Sequence, residues 1–355
     1  MRVIFISCGL IICSFFSSAQ VTPSHTVICI LENRAYNSIV GNAQAPYINS
    51  ILSNAHTALL TKSYGLTHPS QPNYLMLYSG GTQGVTNNNI PSNLPFTTLN
   101  LGGSLINHSL TFIGYSEGLP SVGSNVGTSG AYARKHNPWV NWQGTGSNSI
   151  PATSNRPFSD FPTDYNTLPT LSFVVPNLNH DMHDGSIAVG DTWIQNNLAG
   201  YIQWCINNNS LFILTFDEDD NVSGNHILTS FTGADIKGGS YSQQVTHYNV
   251  LRTVEDLYQL PYAGVSVDSS AISGLWLSAQ SLTYTFTGNG NWDVPSNWAG
   301  NLIPPPTTYT GSQIIINNAA GGQCIMNVPY TISAGTTFTV LPGKTLRVNG
   351  NLTVN

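Results

Sequence analysis

Short apolar runs alternate with longer amphipathic segments between His25 and Leu275 of this 355-residue chain. The apolar runs are predicted β-strands, and they read HTVICILEN, TALLTKSYG, LTFIGYSE, LSFVVPN and SLFILTFDEDD. Three of the intervening segments have helical periodicity: YNSIVGNAQAPYINSILSN, GDTWIQNNLAGYIQWCINN and YNVLRTVEDLYQL. Continuous apolar strands separated by helices are typical of a sheet that is sandwiched between helices. We therefore predict that residues 21–275 form one α/β domain.

The sequence changes character after Trp276, where helical periodicity is lost and Gly, Asn and Pro become frequent. Its last part, YTISAGTTFTVLPGKTLRVNGNLTVN, consists of short alternating strands separated by Gly or Asn. Residues 276–355 are therefore predicted to be a small all-β module, either a sandwich or an incipient β-solenoid. We interpret it as an accessory module for cell-surface or glycan contact. Trp292 and Trp298 could bind a sugar, or they could pack the core of the module.

The first twenty residues predict export. They combine one basic residue, an apolar core and a small-residue end, which is the pattern of a secretory signal peptide over residues 1–20. A retained N-terminal anchor is the alternative. No later apolar run is longer, so we expect a secreted or periplasmic protein without stable membrane insertion. The net charge of −6 argues against a nucleic-acid partner, which would require a basic surface.

The cysteines predict neither a disulfide framework nor a zinc cluster. If the signal peptide is removed, Cys29, Cys205 and Cys324 remain, and their spacing fits no such pattern. We expect buried free thiols. A Cys29–Cys205 disulfide is the alternative in an oxidising compartment.

Polar residues follow several of the predicted strands at the point where each strand ends. Because ligands of open α/β sheets bind beyond the carboxyl ends of the strands, we expect these residues to converge at one edge. They are Glu32 with Asn33, Ser70, the segment 177–183, and Asp217 with Glu218. The Glu32–Asn33 pair could supply oxygen ligands to a divalent cation. Alternatively, Asn33 could be a helix N-cap.

Four consecutive acids, Asp217 to Asp220, directly follow a buried apolar strand. Like charges at such a position repel one another unless a cation or a proton intervenes. This favours a metal site over a solvated acidic turn. His226 lies close enough in sequence to return to the same edge of the sheet.

Two further segments carry histidines that could act in catalysis. PNLNHDMHDGS contains His180, Asp181 and His183, which are candidate metal ligands or proton donors. HNPWVNW contains His136, which could act in the same site or could pack on Trp139.

Ser70, in THPSQPNYLMLYSG, lies between a predicted strand and a predicted helix. Backbone N–H groups and the helix dipole favour an anion there, so Ser70 is either a nucleophile or an ordinary N-cap. A metal ion at the serine oxygen would lower its pKa and neutralise phosphoryl charge. Asn73 and the helix-start N–H groups could hold the other phosphoryl oxygens. Acyl transfer is disfavoured because no G-x-S-x-G surrounds Ser70.

The motifs described above occur in one order between about residues 25 and 265: LENRAYNSIVGN, THPSQPNYL, HNPWVNW, PNLNHDMHDGS with GDTW, FDEDD, NHI and THYNVLRTVEDLYQLP. Together they resemble the phosphoesterase family of secreted bacterial acid phosphatases and bacterial phospholipases C. The chain looks most similar to the short acid-phosphatase and phosphatidylinositol-3-phosphatase-like members. The resemblance implies an alkaline-phosphatase-like core, metal at the strand ends and a phosphoserine intermediate.

The resemblance also implies roles for individual residues. It makes Ser70 the nucleophile and gives as metal ligands Glu32, Asn33, Ser70, Asp217 and Glu218. It places three catalytic histidines around the phosphate: His136, His180 and His183. We add as expected substrate-binding residues Asn73, Asp181 and His226.

We therefore predict an exported, metal-dependent phosphomonoesterase that acts on phosphate-ester small molecules or phospholipid headgroups. A phosphodiesterase or phospholipase C that acts on lipid headgroups is the alternative enzyme. A non-catalytic surface protein whose β-module binds glycans is the alternative from another class. Oxygen ligands favour Ca²⁺, Mg²⁺ or Mn²⁺. If histidines also ligate the metal, zinc or iron becomes suitable.

Overall fold

The computed structural model describes residues 22–277, 283–301, 303–304, 312–332 and 336–354. The predicted signal peptide at residues 1–20 lies outside the described residues. The described chain divides into two units, one formed by residues 22–277 and the other by the described part of 278–355.

The first unit contains both helices and strands. Its strands are β1 (His25–Leu31), β2 (Thr57–Tyr64), β3 (Phe112–Ser116), β4 (Thr128–Ser129), β5 (Tyr132–Ala133), β6 (Asn155–Pro157), β7 (Leu171–Val175), β8 (Ser210–Phe216), β9 (His226–Gly233) and β10 (Gly239–Thr246). Its α-helices are α1 (Tyr36–Ile39), α2 (Pro46–Leu52), α3 (Ser70–Ser79), α4 (Leu101–Asn107), α5 (Ile187–Asn207) and α6 (His247–Leu257). Short 3₁₀ turns connect several of them, including Arg134–His136 and Pro138–Trp142.

Eight strands form one sheet in the order β10-β2-β9-β8-β1-β7-β3-β6. β9 pairs antiparallel with β2 and β8, and the other pairings in this sheet are parallel. The carboxyl ends of β1, β2, β7 and β8 therefore meet at one edge of the sheet. The predicted α/β class is confirmed.

Both faces of the sheet are buried by helices, as β1 illustrates. Ile28 and Ile30 pack into one core with α3, α4 and α6. Val27, Cys29 and Leu31 pack into a second core with α1, α2 and α5. Successive side chains of a strand point to opposite faces, so an uninterrupted apolar strand buries residues on both. The helices on each face supply the partner surface.

The structure differs from the predicted elements in several places. YNSIVGNAQAPYINSILSN was predicted as one helical segment, but it forms the separate helices α1 and α2. Gly41 between them has a left-handed φ of 77°, and Pro46 begins the second helix. Further elements were not predicted, among them α4, β9 and β10. β9 is a buried strand inside the sheet, whereas β10 is a largely polar edge strand, and edge strands need no apolar face.

One close approach positions the loop that carries His136. Gly114 in β3 lies directly against Trp139, and a Cβ atom at Gly114 would lie 2.1 Å from a ring carbon of Trp139. The indole of Trp139 is fully buried and donates from Nε1 to Asn155 Oδ1 at 2.9 Å. The missing side chain at Gly114 therefore lets the 134–142 segment pack against the sheet.

The second unit is built from short parallel strands. They are β11 (Thr283–Phe286), β12 (Gly290–Asn291), β13 (Gln313–Ile316), β14 (Cys324–Met326), β15 (Tyr330–Ile332), β16 (Thr337–Val340), β17 (Leu346–Val348) and β18 (Leu352–Val354). They stack in three parallel ladders, β11-β13-β16, β12-β14-β17 and β15-β18. A chain that returns to each of three ladders in turn is a β-solenoid. Of the two predicted architectures, the solenoid is therefore correct and the sandwich is not.

Trp292 and Trp298 are both only 2% exposed and pack edge to face in the core of this solenoid. The core-packing alternative is therefore correct, and these rings offer no sugar-binding surface.

All three described cysteines are free and buried. The Cys29–Cys205 disulfide is therefore not formed, and burial raises the pKa of both thiols. None of the helices within the described residues combines the length and the apolar character needed to cross a membrane.

Candidate active site

Ser70 is the first residue of α3, and its hydroxyl lies among buried carboxylates. Oγ is 3.0 Å from Glu32 Oε2 and 3.2 Å from Glu218 Oε1, so its proton can go to either. The side chain is almost completely buried. The N-cap position of α3 is occupied by Pro69, which makes no side-chain cap bond. The N-cap alternative for Ser70 is therefore wrong.

Asn73 holds the loop that leads into Ser70. Its Oδ1 accepts from the N–H groups of Leu66 and Thr67 at 3.0 and 3.2 Å. Its Nδ2 donates to Thr67 O at 2.7 Å and to Glu218 Oε2 at 3.2 Å. These four bonds use every donor and acceptor of the amide. Substrate binding by Asn73 stays a prediction, and it would require one of these bonds to break.

The N–H of Gln71, the second residue of α3, is also occupied. It donates to the side-chain Oδ1 of Asn88 at 3.0 Å. The sequence predicts that helix-start N–H groups hold phosphoryl oxygens. At this position a phosphoryl oxygen could bind only after Asn88 has moved.

Glu32 and Asn33 follow β1 at the same edge. Glu32 is fully buried, and its backbone N–H donates to Asp181 O at 2.8 Å. The Asn33 N–H donates to Asp217 Oδ1 at 3.2 Å, and Asn33 has a left-handed φ of 51°. The N-cap of the next helix is Ala35. The interpretation of Asn33 as a helix N-cap is therefore wrong, and the Glu32–Asn33 turn instead joins β1 to the acidic loop.

The four acids after β8 separate into different environments. Asp217 and Glu218 are buried and face the cluster around Ser70. Asp219 accepts three backbone N–H bonds at 2.8–2.9 Å from its own loop. Asp220 is exposed. The like-charge argument therefore applies to Asp217 and Glu218, whereas Asp219 stabilises the loop.

His136 lies between two carboxylates. Its Nε2 is 3.1 Å from Glu32 Oε1, and its Nδ1 is 3.2 Å from Asp181 Oδ2. The imidazole is 1% exposed and stacks on Tyr74 at 5.1 Å between ring centroids. The alternative that His136 packs on Trp139 is wrong, because Tyr74 covers the ring.

The other three predicted histidines lie at different distances from this cluster. His183 is next to it, with its ring 6.0 Å from that of His136. His180 Nδ1 is 2.9 Å from both oxygens of Glu117. His226 stacks on Tyr36, and its Nε2 is 3.0 Å from Thr61 O. Among the contacts of residues 22–277, neither His180 nor His226 touches Ser70 or its carboxylates, so their predicted roles find no contact that supports them.

Burial sets the electrostatics of the cluster. It raises the pKa of Glu32, Asp217 and Glu218, and the neighbouring carboxylates raise that of Asp217 further. Burial also raises the pKa of Asp181 to about 7 and lowers that of His136 to about 4. So many acids can be ionised together only if a positive charge lies among them.

The donor atoms of the cluster fit a metal ion. Four of them are buried and lack a hydrogen-bond partner, namely Glu32 Oε1, Asp181 Oδ2, Asp217 Oδ2 and His136 Nε2. The close approach of His136 Nε2 to Glu32 Oε1 is short enough for a hydrogen bond, but its alignment does not give one. Unpaired buried polar atoms are costly, so a missing partner is implied.

Two overlapping donor sets could hold such an ion. Ligand atoms of Glu32, His136 and Asp181 lie within 4.8 Å of one another. The predicted set instead joins Glu32 with Asp217, Glu218, Ser70 and Asn33. The two sets share Glu32, and the sequence did not indicate that His136 and Asp181 form the second set.

Sequence reasoning missed three side chains that complete the cluster. His68 Nδ1 is 3.0 Å from Glu218 Oε2, and its Nε2 is 3.3 Å from Asp219 Oδ1. Tyr74 covers His136, and Lys135 Nζ lies 3.2 Å from His183 Nε2. His68 and Tyr74 lie within the THPSQPNYL motif, and Lys135 directly precedes His136. Their position beside predicted site residues was the available signal.

Comparisons with known proteins relate the chain to phosphatases. Residues 44–261 match the sequence profile of the phosphoesterase family. Over 265 residues, the chain is 46% identical to a phosphatidylinositol-3-phosphatase of Mycobacterium tuberculosis, covering 73% of this chain and 85% of that protein. It is 31% identical to an acid phosphatase of Aspergillus fumigatus, covering 66% of this chain and 54% of that protein. The chain thus spans about half the length of that fungal relative.

Solved structures with a similar fold include a protein in the alkaline phosphatase superfamily from Vibrio parahaemolyticus. It has a TM-score of 0.47 and 11% identity, covering 68% of this chain and 67% of that one. Another is the C-terminal periplasmic domain of EcEptC from Escherichia coli in complex with Zn, with a TM-score of 0.43 and 11% identity. That alignment covers 69% of this chain and 85% of the domain.

Proposed function

The chain belongs to the phosphoesterase family, and we propose that it is an exported, divalent-metal-dependent phosphomonoesterase that acts through Ser70. The observation that carries the proposal is the position of the Ser70 hydroxyl, buried at the start of α3 between Glu32 and Glu218. The family places the chain among hydrolases of phosphoric esters. The proposal of export rests on the signal-like residues 1–20. N-terminal sequencing of the exported protein tests it, because a cleaved signal peptide would be absent from the mature chain.

Glu32, Asp217 and Glu218 would hold the cation, with Asn33 as a further oxygen ligand. A bound divalent cation would neutralise phosphoryl charge and favour the deprotonated serine. Carboxylate and amide oxygens suit Ca²⁺, Mg²⁺ or Mn²⁺, whereas participation of His136 would suit zinc. In both cases Glu32 is a ligand, because it belongs to both donor sets.

In the proposed reaction, Ser70 Oγ gives up its proton and forms a bond to phosphorus while the bond from phosphorus to the leaving oxygen breaks. Glu32 and Glu218 are the acceptors within reach of that proton. His183 is suited to protonate the leaving alcohol with a proton taken up from solvent, since it is partly exposed and next to His136. Water then cleaves the phosphoserine and releases inorganic phosphate.

Lys135 and Asp184 would orient His183 for this role. Lys135 Nζ donates to His183 Nε2 at 3.2 Å, while Nδ1 lies 2.6 Å from Asp184 Oδ1. In this arrangement Nδ1 carries the ring proton and donates it to Asp184, and Nε2 accepts a hydrogen bond from the Lys135 ammonium group. A phosphate ester that displaced Lys135 would leave Nε2 free to take up a proton from solvent and to donate it to the leaving oxygen.

The test is phosphate release from p-nitrophenyl phosphate by wild type and Ser70→Ala in the presence of divalent cations. We expect Ser70→Ala to lose at least about 10³-fold in kcat, as removal of a nucleophile does in other enzymes. Ser104→Ala is the matched control, because Ser104 is buried but its hydroxyl has no partner. Equal activity of wild type and Ser70→Ala would refute the proposal. A preference for bis(p-nitrophenyl) phosphate would instead support the phosphodiesterase alternative.

A further inference from the structure

Lys135 lies beside the acidic cluster without a carboxylate partner of its own. It belongs to the 3₁₀ turn Arg134–His136, and its side chain is half-buried. Its Nζ donates to His183 Nε2 at 3.2 Å. Among the described residues this is its one hydrogen-bond partner, and it forms no ion pair with any of them. A lysine ammonium group has three donors, so two of them remain available to a ligand.

A short series of contacts joins Lys135 to Ser70. The ring of His183, which Lys135 contacts, lies 6.0 Å from the ring of His136. His136 Nε2 is 3.1 Å from Glu32 Oε1, and Glu32 Oε2 is 3.0 Å from Ser70 Oγ. Lys135 therefore belongs to the same group of contacting side chains as the proposed nucleophile.

The charge of Lys135 acts on both carboxylates that flank the Ser70 hydroxyl. Burial raises the pKa of Glu32 and Glu218, and the positive charge of Lys135 opposes that rise in both. It also opposes the rise in the pKa of Asp181. Such an effect weakens with distance, so it requires the ammonium group to be near these carboxylates. Because Glu32 and Glu218 both contact Ser70 Oγ, the charge acts at the point where Ser70 would meet a phosphoryl group.

A phosphate monoester would need a second positive charge in this site. Four buried carboxylates surround the proposed nucleophile, namely Glu32, Asp181, Asp217 and Glu218. The dianion of a monoester adds two negative charges, and a single divalent cation cannot balance all of them. Like charges in a buried site repel one another strongly. A lysine ammonium group is a compact charge on a flexible stem and a common ligand of phosphate, so Lys135 is suited to supply the missing charge.

We propose that Lys135 leaves His183 when the substrate binds and that its ammonium group contacts a non-bridging oxygen of the phosphoryl group. In this position it stabilises the dianion of a phosphate monoester more than the single negative charge of a diester. The same movement releases His183 Nε2, so binding of the phosphoryl group and release of the proposed proton donor occur together. The inference rests on the proposed phosphomonoesterase function and adds the side chain that makes the site prefer monoesters.

The experiment compares p-nitrophenyl phosphate with bis(p-nitrophenyl) phosphate at a pH above the second phosphate pKa of about 6. In Lys135→Gln, the ratio of kcat/KM for the monoester to that for the diester should fall about tenfold, as for the loss of one hydrogen bond to a charged group. Both esters release the same alcohol, so a change in proton donation by His183 cancels from the ratio, and so does the fraction of folded enzyme. Lys135→Arg keeps the charge and should recover most of the ratio. Lys237→Gln is the control that leaves the ratio unchanged, because Lys237 is exposed and lies between β9 and β10, at the opposite edge of the sheet.

An unchanged ratio in Lys135→Gln overturns the inference. An equal fall in Lys135→Arg also overturns it, because the loss would then come from packing and not from charge. If wild type hydrolyses the diester too slowly to measure, the competitive inhibition constant of inorganic phosphate against the monoester decides. It should rise about tenfold in Lys135→Gln, and an unchanged constant overturns the inference. Failure of wild type to hydrolyse either ester would instead refute the proposed phosphatase function.

Discussion

At the scale of single residues, the site is a group of ionisable side chains that the fold has removed from water. Glu32, Asp181 and Asp217 are almost fully buried, yet each has a side-chain oxygen without a hydrogen-bond partner. In most folded proteins such atoms are paired, since each unpaired one costs about 1–3 kcal/mol. The protein therefore keeps these acids at the expense of stability, which is expected where binding requires them.

The metal proposal makes a specific prediction for Asp217. Asp217→Asn should reduce both bound divalent metal and phosphatase activity by more than the roughly 10- to 100-fold that loss of an outer-shell partner costs. Metal content by mass spectrometry of the purified protein and a metal titration of activity measure the two effects. Asp220→Asn is the control, because Asp220 is an exposed neighbour in the same loop. Full metal content in Asp217→Asn would exclude Asp217 as a ligand.

Glu255 predicts a pH dependence that is independent of the site. This α6 residue accepts from Ala263 N at 2.7 Å and from Ser266 Oγ at 2.6 Å. Burial nevertheless raises its pKa from 4.5 to about 7. The folded state therefore binds this proton more tightly than the unfolded state does. The resulting stability is fully present below pH 4.5 and is lost as the pH rises through about 7.

Glu255→Gln should remove this pH-dependent loss of folding free energy, which amounts to about 3 kcal/mol at most. We expect the melting temperature of wild type, measured relative to that of Glu255→Gln, to fall as the pH is raised from 4.5 to 8. Asp268→Asn, at an exposed acid of the adjacent turn, is the control for the loss of one negative charge. A constant difference between wild type and Glu255→Gln across the pH range would contradict the prediction.

At the scale of elements, two local packing features orient side chains that we propose to act in catalysis. Asn73 fixes the loop before α3 by bonding to Leu66 and Thr67, which presents Ser70 to the carboxylates. Trp139 fixes the 134–142 segment by packing on β3 at Gly114, which places His136 between Glu32 and Asp181. Asn73 and Trp139 would therefore affect the proposed catalysis without touching the substrate.

Gly114→Ala tests the second of these features. The added methyl group would overlap the Trp139 ring, and overpacking of this kind typically costs about 1–3 kcal/mol. Both the melting temperature and kcat should fall, because the displaced segment carries His136. Gly81→Ala is the control, since its nearest neighbour would lie at an ordinary 3.5 Å. Wild-type stability of Gly114→Ala would show that the segment is not held in this way.

At the scale of the whole molecule, the chain consists of two units with separate cores. One unit, residues 22–277, contains both core clusters of the sheet and the region 44–261 that matches the family. The other has its own core around Trp292, Phe286 and Ile314. A unit that buries its own apolar side chains can fold alone. The chemistry proposed here requires only the first unit.

A chain limited to residues 22–277 should therefore fold and retain kcat/KM for p-nitrophenyl phosphate within about twofold of the full-length protein. Circular dichroism and steady-state kinetics measure the two properties. A soluble, folded fragment with strongly reduced activity would show that the solenoid contributes to catalysis. The predicted accessory role of residues 276–355 would then be wrong.

The sequence alone determined the parts of this protein that depend on local pattern. Apolar runs such as HTVICIL identified the buried strands, because a strand covered on both faces has no polar side. The residues after those strands identified Glu32, Ser70, Asp217 and Glu218 as neighbours, because parallel strands end at a common edge. The resemblance of several ordered motifs identified the family. The polar edge strand β10 escaped detection because it carries no apolar period.

Tertiary structure decided how those residues pair. Asp219 and Asp220 follow Glu218 directly, but only the folded loop shows that Asp219 binds its own backbone and that Asp220 is exposed. His136 and Asp181 are far apart in sequence, and their contact depends on the packing of Trp139 against Gly114. Such pairings join segments with no shared pattern, so they are fixed by long-range packing and burial. The sequence therefore predicts which residues lie at the sheet edge, whereas long-range packing determines which of them contact one another.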